Sequence, residues 1–168
     1  MLTGSLASSL QGEPRSTHDI DLLIDMNPSQ VDSFTEQYPP PEFYLSKSAV
    51  LEAIQQRRMF NLLDLESGDK VDFWLVTDDP FDQSRFQRRR QTNIGGTVVD
   101  VSSPEDTILM KLKWSVTSGG SEKQFHDAIR VYELQAALLD MSYIEGWLDT
   151  LKIREIWNRL LSEADPIV

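Results

Sequence analysis

The sequence contains no cysteine among its 168 residues. Disulfide bonds and thiolate metal ligands are therefore excluded, and we expect a cytoplasmic protein. No apolar run approaches the roughly 20 residues that a membrane-spanning helix needs, so no membrane contact is predicted. The first residues also lack a basic segment followed by an apolar one, which predicts no signal peptide.

Basic residues are few, with 16 Lys and Arg against 27 Asp and Glu and a formal net charge of −11. Because nucleic-acid-binding proteins usually present a basic surface, this balance argues against a general nucleic-acid binder. One local basic cluster remains, and two interpretations of it are open: a helix face that pairs with neighbouring acids, or a contact with RNA. The cluster consists of Arg85, Arg88, Arg89 and Arg90.

Periodicity and turn residues predict an α+β fold. Strands and helices alternate to about residue 101, and only helices follow. We therefore predict an α/β core over 1–101 and a helical segment over 102–168 packed on it. The clearest element is a hairpin of strands 59–65 and 70–76, whose turn contains Gly68. The other predicted elements are strands at 1–3, 19–25, 43–45 and 97–101, and helices at 5–11, 28–38, 47–57, 80–90, 104–117, 122–139, 142–150 and 152–163. The tryptophans of the helical segment are predicted to pack in the core: Trp114, Trp147 and Trp157.

Two acids, Asp19 and Asp21, open an apolar strand. Residues i and i+2 of a strand point to the same face, so the two carboxylates project side by side. Two like charges at that distance repel each other unless a cation lies between them. The pair therefore predicts a site for a hard divalent metal. The alternative is a strand-end pair that faces water, with His18 or Arg15 as its counter-ion.

A third acid, Asp72, lies in the otherwise apolar second strand of the hairpin. If that strand neighbours the 19–25 strand, three carboxylates cluster, and an all-oxygen ligand set selects Mg²⁺ or Mn²⁺. Upstream, the turn Gly4-Ser5 leads from a strand into a helix. The N–H groups at such a helix start can bind a phosphate.

The segment from Leu2 to Leu22 resembles the signature of the DNA polymerase β-type nucleotidyltransferase superfamily: a hydrophobic residue, Gly-Ser, a spacer, and then Asp-hydrophobic-Asp. The lead-in Arg15-Ser-Thr17, the segment 103–112 and Asp127 further resemble the bacterial minimal nucleotidyltransferases, which include toxin-type proteins of abortive-infection and toxin–antitoxin systems.

The resemblance implies a nucleotidyltransferase-like mixed sheet flanked by helices and followed by a helical segment. It also implies transfer of NMP from an NTP to the hydroxyl of a small molecule, a protein or an RNA end, with Mg²⁺ or Mn²⁺ as cofactor. For metal binding and catalysis it assigns Asp19, Asp21 and Asp72. For the nucleotide or the acceptor it assigns Gly4, Ser5, Arg15, Thr17 and Lys111.

A non-catalytic alternative is a nucleotidyltransferase-fold binding module or an antitoxin-like partner. A protein partner or a homodimer is also expected, since the run Met1-Leu-Thr3 before the Gly-Ser turn is short and a missing neighbouring strand would leave an open sheet edge.

Overall fold

The computed structural model of the protein describes residues 1–17 and 19–166. Within them, seven strands form one mixed sheet in the order β3-β4-β5-β2-β1-β7-β6. The strands are β1 (Leu2–Thr3), β2 (Asp19–Ile24), β3 (Phe43–Tyr44), β4 (Met59–Asp64), β5 (Lys70–Leu75), β6 (Arg90–Ile94) and β7 (Thr97–Val101). The α-helices are α1 (Gly4–Gln11), α2 (Val31–Thr35), α3 (Lys47–Gln56), α4 (Pro80–Gln87), α5 (Pro104–Thr117), α6 (Glu122–Gln135), α7 (Met141–Leu148) and α8 (Arg154–Glu163).

The predicted α+β class is confirmed, with every strand before residue 102 and only helices after it in the described residues. The predicted hairpin is present as β4 and β5, and α5 begins where its capping residues indicated. Ser103 accepts a hydrogen bond from the backbone N–H of Asp106, and Pro104 occupies the first turn. The division into two units at residues 101 and 102 stays a prediction.

Two predicted helices are wrong in part. The helix predicted at 80–90 ends at Gln87, and an unpredicted strand, β6, pairs antiparallel with β7 across Gly95-Gly96. All but one of the residues of this edge strand are exposed, so it lacks the apolar alternation that reveals a strand in a sequence. The helix predicted at 28–38 is a 3₁₀ turn, Pro28–Gln30, followed by the short α2.

The strand β1 does not form a sheet edge. It is paired antiparallel with β2 on one side and parallel with β7 on the other, although it is only two residues long. The outer strands are β3 and β6. The open edge expected beside Gly4 is therefore absent from the described part of the chain. The homodimer stays a prediction, but an open edge at β1 does not support it.

In the described part of the chain, three apolar clusters support the sheet and the helices. One lies between the sheet and helices α2 and α3, and includes Val31, Val50, Ala53, Phe60 and Phe73. The largest lies among the helices that follow the sheet, around the fully buried Trp157 and Phe125. The third surrounds Leu2, Ala7 and Val101 next to α1. These clusters hold β1, β2 and β5 against packed helices. The polar residues near the ends of the three strands consequently lie close together.

The core prediction holds for Trp157 but not for Trp114, whose side chain is 43% exposed. Helix α5 turns its apolar residues Ile108, Leu109 and Leu112 into the core, which leaves Trp114 on a different face. Across residues 1–17 and 19–166, none of the helices combines the length and apolar content that crossing a bilayer requires.

Candidate active site

The acids singled out in the sequence lie on two adjacent parallel strands. The register of β2 and β5 sets Asp21 opposite Asp72, and Asp19 opposite Lys70. Asp72 is buried, Asp21 is half-buried and Asp19 is exposed. The predicted neighbourhood of the two strands is thus present. His18, the alternative counter-ion, lies outside the described residues.

A lysine supplies the positive charge between the acids. The Nζ atom of Lys70 lies 2.9 Å from Oδ2 of Asp72 and 3.7 Å from Oδ1 of Asp19. In residues 1–17 and 19–166, no three acidic, histidine or cysteine side chains converge closely enough to hold a metal ion. Asp19, Asp21 and Asp72 therefore do not converge as the predicted three-carboxylate cluster, and Lys70 instead bridges Asp19 and Asp72. Sequence reasoning missed this lysine, although its i−2 spacing from Asp72 places it on the same strand face.

The carboxylate of Asp21 is fixed from two sides. The indole N–H of Trp74 donates a hydrogen bond of 3.2 Å to Oδ1, while Oδ2 faces Gly4 so closely that a side chain at Gly4 would overlap it. Burial raises the pKa of Asp21; the hydrogen bond from Trp74 opposes this rise, and repulsion from Asp72 adds to it. The site therefore penalises the negative charge of Asp21 unless a proton or a cation compensates for it.

The carboxylate of Asp72 is only half satisfied. Its Oδ2 atom pairs with Lys70, whereas Oδ1 is buried and has no hydrogen-bond partner among the described residues. A buried carboxylate oxygen without a partner is costly, and a cation is one way to satisfy it. The unsatisfied oxygen beside the carboxylate of Asp21 forms an all-oxygen donor set, which fits Mg²⁺ or Mn²⁺.

Gly4 and Ser5 start helix α1 directly beside the acids. Gly4 has φ +65°, a left-handed conformation that favours glycine. The first N–H groups of a helix have no partner within it and attract anions. The hydroxyl of Ser5 accepts hydrogen bonds from Arg15 Nη2 at 2.8 Å and from Lys111 Nζ at 3.3 Å. Two cations therefore flank the helix start.

Asp127 on α6 holds both of these cations in place. Its carboxylate accepts two hydrogen bonds from Arg15, at 2.9 and 2.8 Å, and one from Lys111 at 2.6 Å. Burial by itself would raise the pKa of Asp127, but the hydrogen bonds from Arg15 and Lys111 hold it below its ordinary value. Burial lowers the pKa of Lys111, against the hydrogen bond and charge of Asp127. The resemblance included Asp127 in its pattern but gave it no role.

Thr17, the remaining predicted residue, makes a different contact. Its hydroxyl lies 3.4 Å from the backbone carbonyl of Asp19, its close neighbour in the chain. The structure thus brings Arg15 and Lys111 together at Ser5, while Thr17 supports the start of β2.

Asp21 and the helix start open into one cleft of about 260 Å³. The start of α1 and Asp21 border it at one end, and side chains of α5 and α6 form the other walls. Its lining residues are Thr3, Gly4, Ser5, Asp21, Trp74, Arg85, Thr107, Met110, Lys111, Trp114 and Gln124.

The four clustered arginines all pair with acids of the same chain. Arg85 is buried and lies 2.8 Å from Asp82. Arg88 and Arg90 lie 3.4 and 3.3 Å from the carboxylate of Glu105. Arg89 lies 3.0 Å from Asp100. These contacts match the interpretation of a face paired with acids, and contact with RNA stays a prediction.

No family model matches the chain, and no curated protein matches it. Among solved structures, the chain is similar to the crystal structure of an antigenic nucleotidyltransferase-like protein from Paracoccidioides brasiliensis. The two share 18% sequence identity with a TM-score of 0.49, over 99% of this chain and 85% of the other.

Proposed function

We propose that the protein is a divalent-metal-dependent nucleotidyltransferase that moves NMP from an NTP to an acceptor hydroxyl. One observation carries the proposal: Asp21 lies beside Asp72 on one side and against Gly4, the first residue of α1, on the other. The carboxylate of Asp21, next to that of Asp72, and a helix start suited to anions thus border the same cleft. Phosphoryl transfer depends on this combination of positioning and charge.

The phosphates of the NTP would bind at the start of α1. The free N–H groups of its first turn and the ammonium of Lys111 would contact the phosphates nearest Ser5. Arg15 carries a second positive charge at the same hydroxyl. Asp127 keeps both cations pointing toward Ser5, so their order does not have to be created when the nucleotide binds.

The acids would act on the reacting atoms. Asp21 and Asp72 would hold the metal, which when bound neutralises phosphate charge and lowers the pKa of the acceptor hydroxyl. With Oδ1 of Asp72 on the metal, Oδ2 would accept the proton of that hydroxyl once Lys70 moves away from it. The acceptor oxygen then forms a bond to the α-phosphorus as the bond between this phosphorus and the bridging oxygen breaks, and pyrophosphate leaves. Asp19 would become a further metal ligand when the ammonium of Lys70 moves away from it.

The acceptor is a small molecule, a protein side chain or an RNA end. The net charge of −11 disfavours long nucleic acids. The resemblance to toxin-type enzymes makes a role in a toxin–antitoxin or abortive-infection system part of the proposal, with a target molecule in the cell as the acceptor.

The test is label transfer. The protein is incubated with each of the four α-labelled NTPs, Mg²⁺ or Mn²⁺ and a cell extract, and the labelled products are separated. We expect one or more NTPs to label an acceptor, and Asp21→Asn and Asp72→Asn each to abolish the labelling. Asp25→Asn is the matched control, because this exposed acid follows the same strand and lies 3.9 Å from Arg57. Labelling that persists in the double variant of Asp21 and Asp72 would overturn the proposal.

A specific observation favours the non-catalytic alternative: Lys70 already neutralises the carboxylates of Asp19 and Asp72. A binding module could keep this arrangement permanently. The same experiment distinguishes the two functions, because a binding module transfers no label from any NTP with either metal. It would instead retain a partner protein equally well with or without the carboxylates of Asp21 and Asp72.

A further inference from the structure

Two tryptophans form an aromatic corner in the cleft. The rings of Trp74 and Trp114 meet edge to face, with their centroids 5.9 Å apart and an angle of 64° between the planes. The hydrogen bond from the indole of Trp74 to Asp21 fixes the first ring. Trp114 is 43% exposed although it belongs to a helix whose neighbouring residues are mostly buried. A large aromatic side chain left open in a concave wall is typical of a ligand contact.

The wall beside the aromatic corner carries a polar atom with no partner. Thr107 is 3% exposed, and its hydroxyl makes no hydrogen bond among the described residues. Thr107 lies one turn of α5 before Lys111 and two turns before Trp114, and all three line the cleft. Gln124 on α6 adds an amide to the same lining. The wall thus combines apolar faces with polar groups capable of hydrogen bonds.

The cleft is continuous from the aromatic corner to the anion-binding end. Gly4, Ser5 and Lys111 line the same cavity as Trp74 and Trp114. A single ligand that fills it has to carry negative charge at one end and a flat, largely apolar ring with a polar edge at the other. A nucleotide has this chemistry, whereas free phosphate or a sugar phosphate lacks the ring.

We propose that the corner of Trp74 and Trp114 is the subsite for the nucleobase of the bound NTP, with Trp114 as its stacking surface. The inference rests on the proposed function and identifies the part of the nucleotide that this wall binds. Stacking on tryptophan tolerates any base, so Trp114 would set affinity for the ring. Thr107 and Gln124 are placed to form hydrogen bonds with the edge of the base, and so to discriminate among the bases.

The test compares ligands with and without a base. Binding of each NTP and of inorganic tripolyphosphate is measured by isothermal titration calorimetry with the full chain in Mg²⁺. For the wild type we expect at least one NTP to bind about 10-fold more tightly than tripolyphosphate. Trp114→Ala is expected to weaken that NTP about 10-fold, as for other stacking aromatics, and to leave tripolyphosphate unchanged. Trp114→Phe, which keeps a ring, is expected to restore most of the preference.

Val116→Ala is the matched control, because Val116 is a 47% exposed apolar residue of the same helix that does not line the cleft. Equal affinity of NTPs and tripolyphosphate for the wild type would overturn the inference, as would an equal loss for both ligands in Trp114→Ala. If label transfer proceeds in either case, the proposed function stands and only the base subsite fails. If the wild type neither transfers label nor binds any NTP, both fail.

Discussion

The Nζ atom of Lys70 lies 2.9 Å from Oδ2 of Asp72, two residues further along the same strand. Strand β5 thus supplies a buried acid together with its counter-ion, and the same ammonium reaches Asp19 on β2. The side chain of Lys70 is 34% exposed, so it has room to leave toward solvent. A divalent metal that uses Asp72 and Asp19 therefore has to compete with a cation of the chain itself.

Removing this ammonium is expected to strengthen metal binding. Lys70→Met keeps the length and the apolar stem of the side chain but deletes the competing charge, so we expect affinity for Mn²⁺ to rise about 10-fold, since a charge within 4 Å is worth up to a few kcal/mol at such a site. Electron paramagnetic resonance of free Mn²⁺ measures the affinity directly. Lys47→Met is the control, because Lys47 on α3 pairs with the exposed Asp32 on α2 and with neither Asp19 nor Asp72 in the described residues. Unchanged or weaker binding by Lys70→Met would contradict the competition.

Gly4 is expected to be far less replaceable than another glycine with positive φ. Gly4 has φ +65° and Gly68 has φ +78°, but an added methyl group meets the Asp21 carboxylate at the first and nothing within 4 Å at the second. Gly68→Ala therefore carries only the backbone cost of about 1–2 kcal/mol. Gly4→Ala is expected to lose about 2 kcal/mol more through overlap. Urea denaturation of both variants gives the difference, and equal losses would show that Asp21 moves aside freely.

The sequence predicts that the acids are adjacent better than it predicts which cation pairs with them. The alternation of β2 and the lone acid in β5 predict adjacent carboxylates if the strands pair, and the register sets Asp21 opposite Asp72. The pair of Lys70 with Asp72 follows from their i, i+2 spacing on one strand, whereas the contact of Lys70 with Asp19 joins two strands and depends on their register. The period-2 pattern sets which residues of a strand share a face, but it does not fix which residue of β2 lies opposite which residue of β5.

In the helical segment, the sequence does not predict which faces of the helices are buried. Trp114 occupies a position among apolar residues of α5 that periodicity assigns to the core, and Trp157 in a similar setting is indeed fully buried. Which helix faces are covered depends on how the helices pack on the sheet, which a single helix does not encode. For the same reason the partnership of Arg15 with Asp127, 112 residues apart, follows only from the fold.

Asp127 is expected to stabilise the protein by pairing buried charge. Its side chain is 10% exposed, and that of its partner Lys111 is 4% exposed. Asp127→Asn leaves the Lys111 ammonium without a counter-charge, so we expect a loss of about 3 kcal/mol in the free energy of unfolding. Asp32→Asn breaks a pair of similar length, 2.6 Å, whose side chains are 55% and 68% exposed, and is expected to cost less than about 0.5 kcal/mol.

A second variant separates lost charge pairing from general damage at Asp127. Lys111→Met removes the ammonium, so adding it to Asp127→Asn should restore part of the lost stability, as chemical denaturation would record. A double variant that is less stable than Asp127→Asn alone would show that the pair is not the source of the loss.

Asp106 is expected to make stability decrease as pH rises. It is fully buried, Tyr143 donates a hydrogen bond of 2.7 Å to Oδ1, and Ser103 donates one of 2.6 Å to Oδ2. Burial raises the pKa of Asp106 above its ordinary value of 3.8, although both hydrogen bonds and the charge of Arg88 oppose the rise. The folded protein therefore binds this proton more tightly than the unfolded chain.

The stabilising contribution of Asp106 is consequently complete below pH 3.8 and is lost as pH rises through the raised pKa. Because Asn does not titrate, the free energy of unfolding of the wild type minus that of Asp106→Asn should decrease between pH 3 and pH 7 in urea denaturation. Asp149→Asn provides a control of opposite sign. The hydrogen bond from Arg154 lowers the pKa of Asp149, so its contribution is present above the ordinary value and lost in acid. A wild-type advantage over Asp106→Asn that grows with pH would contradict the raised pKa.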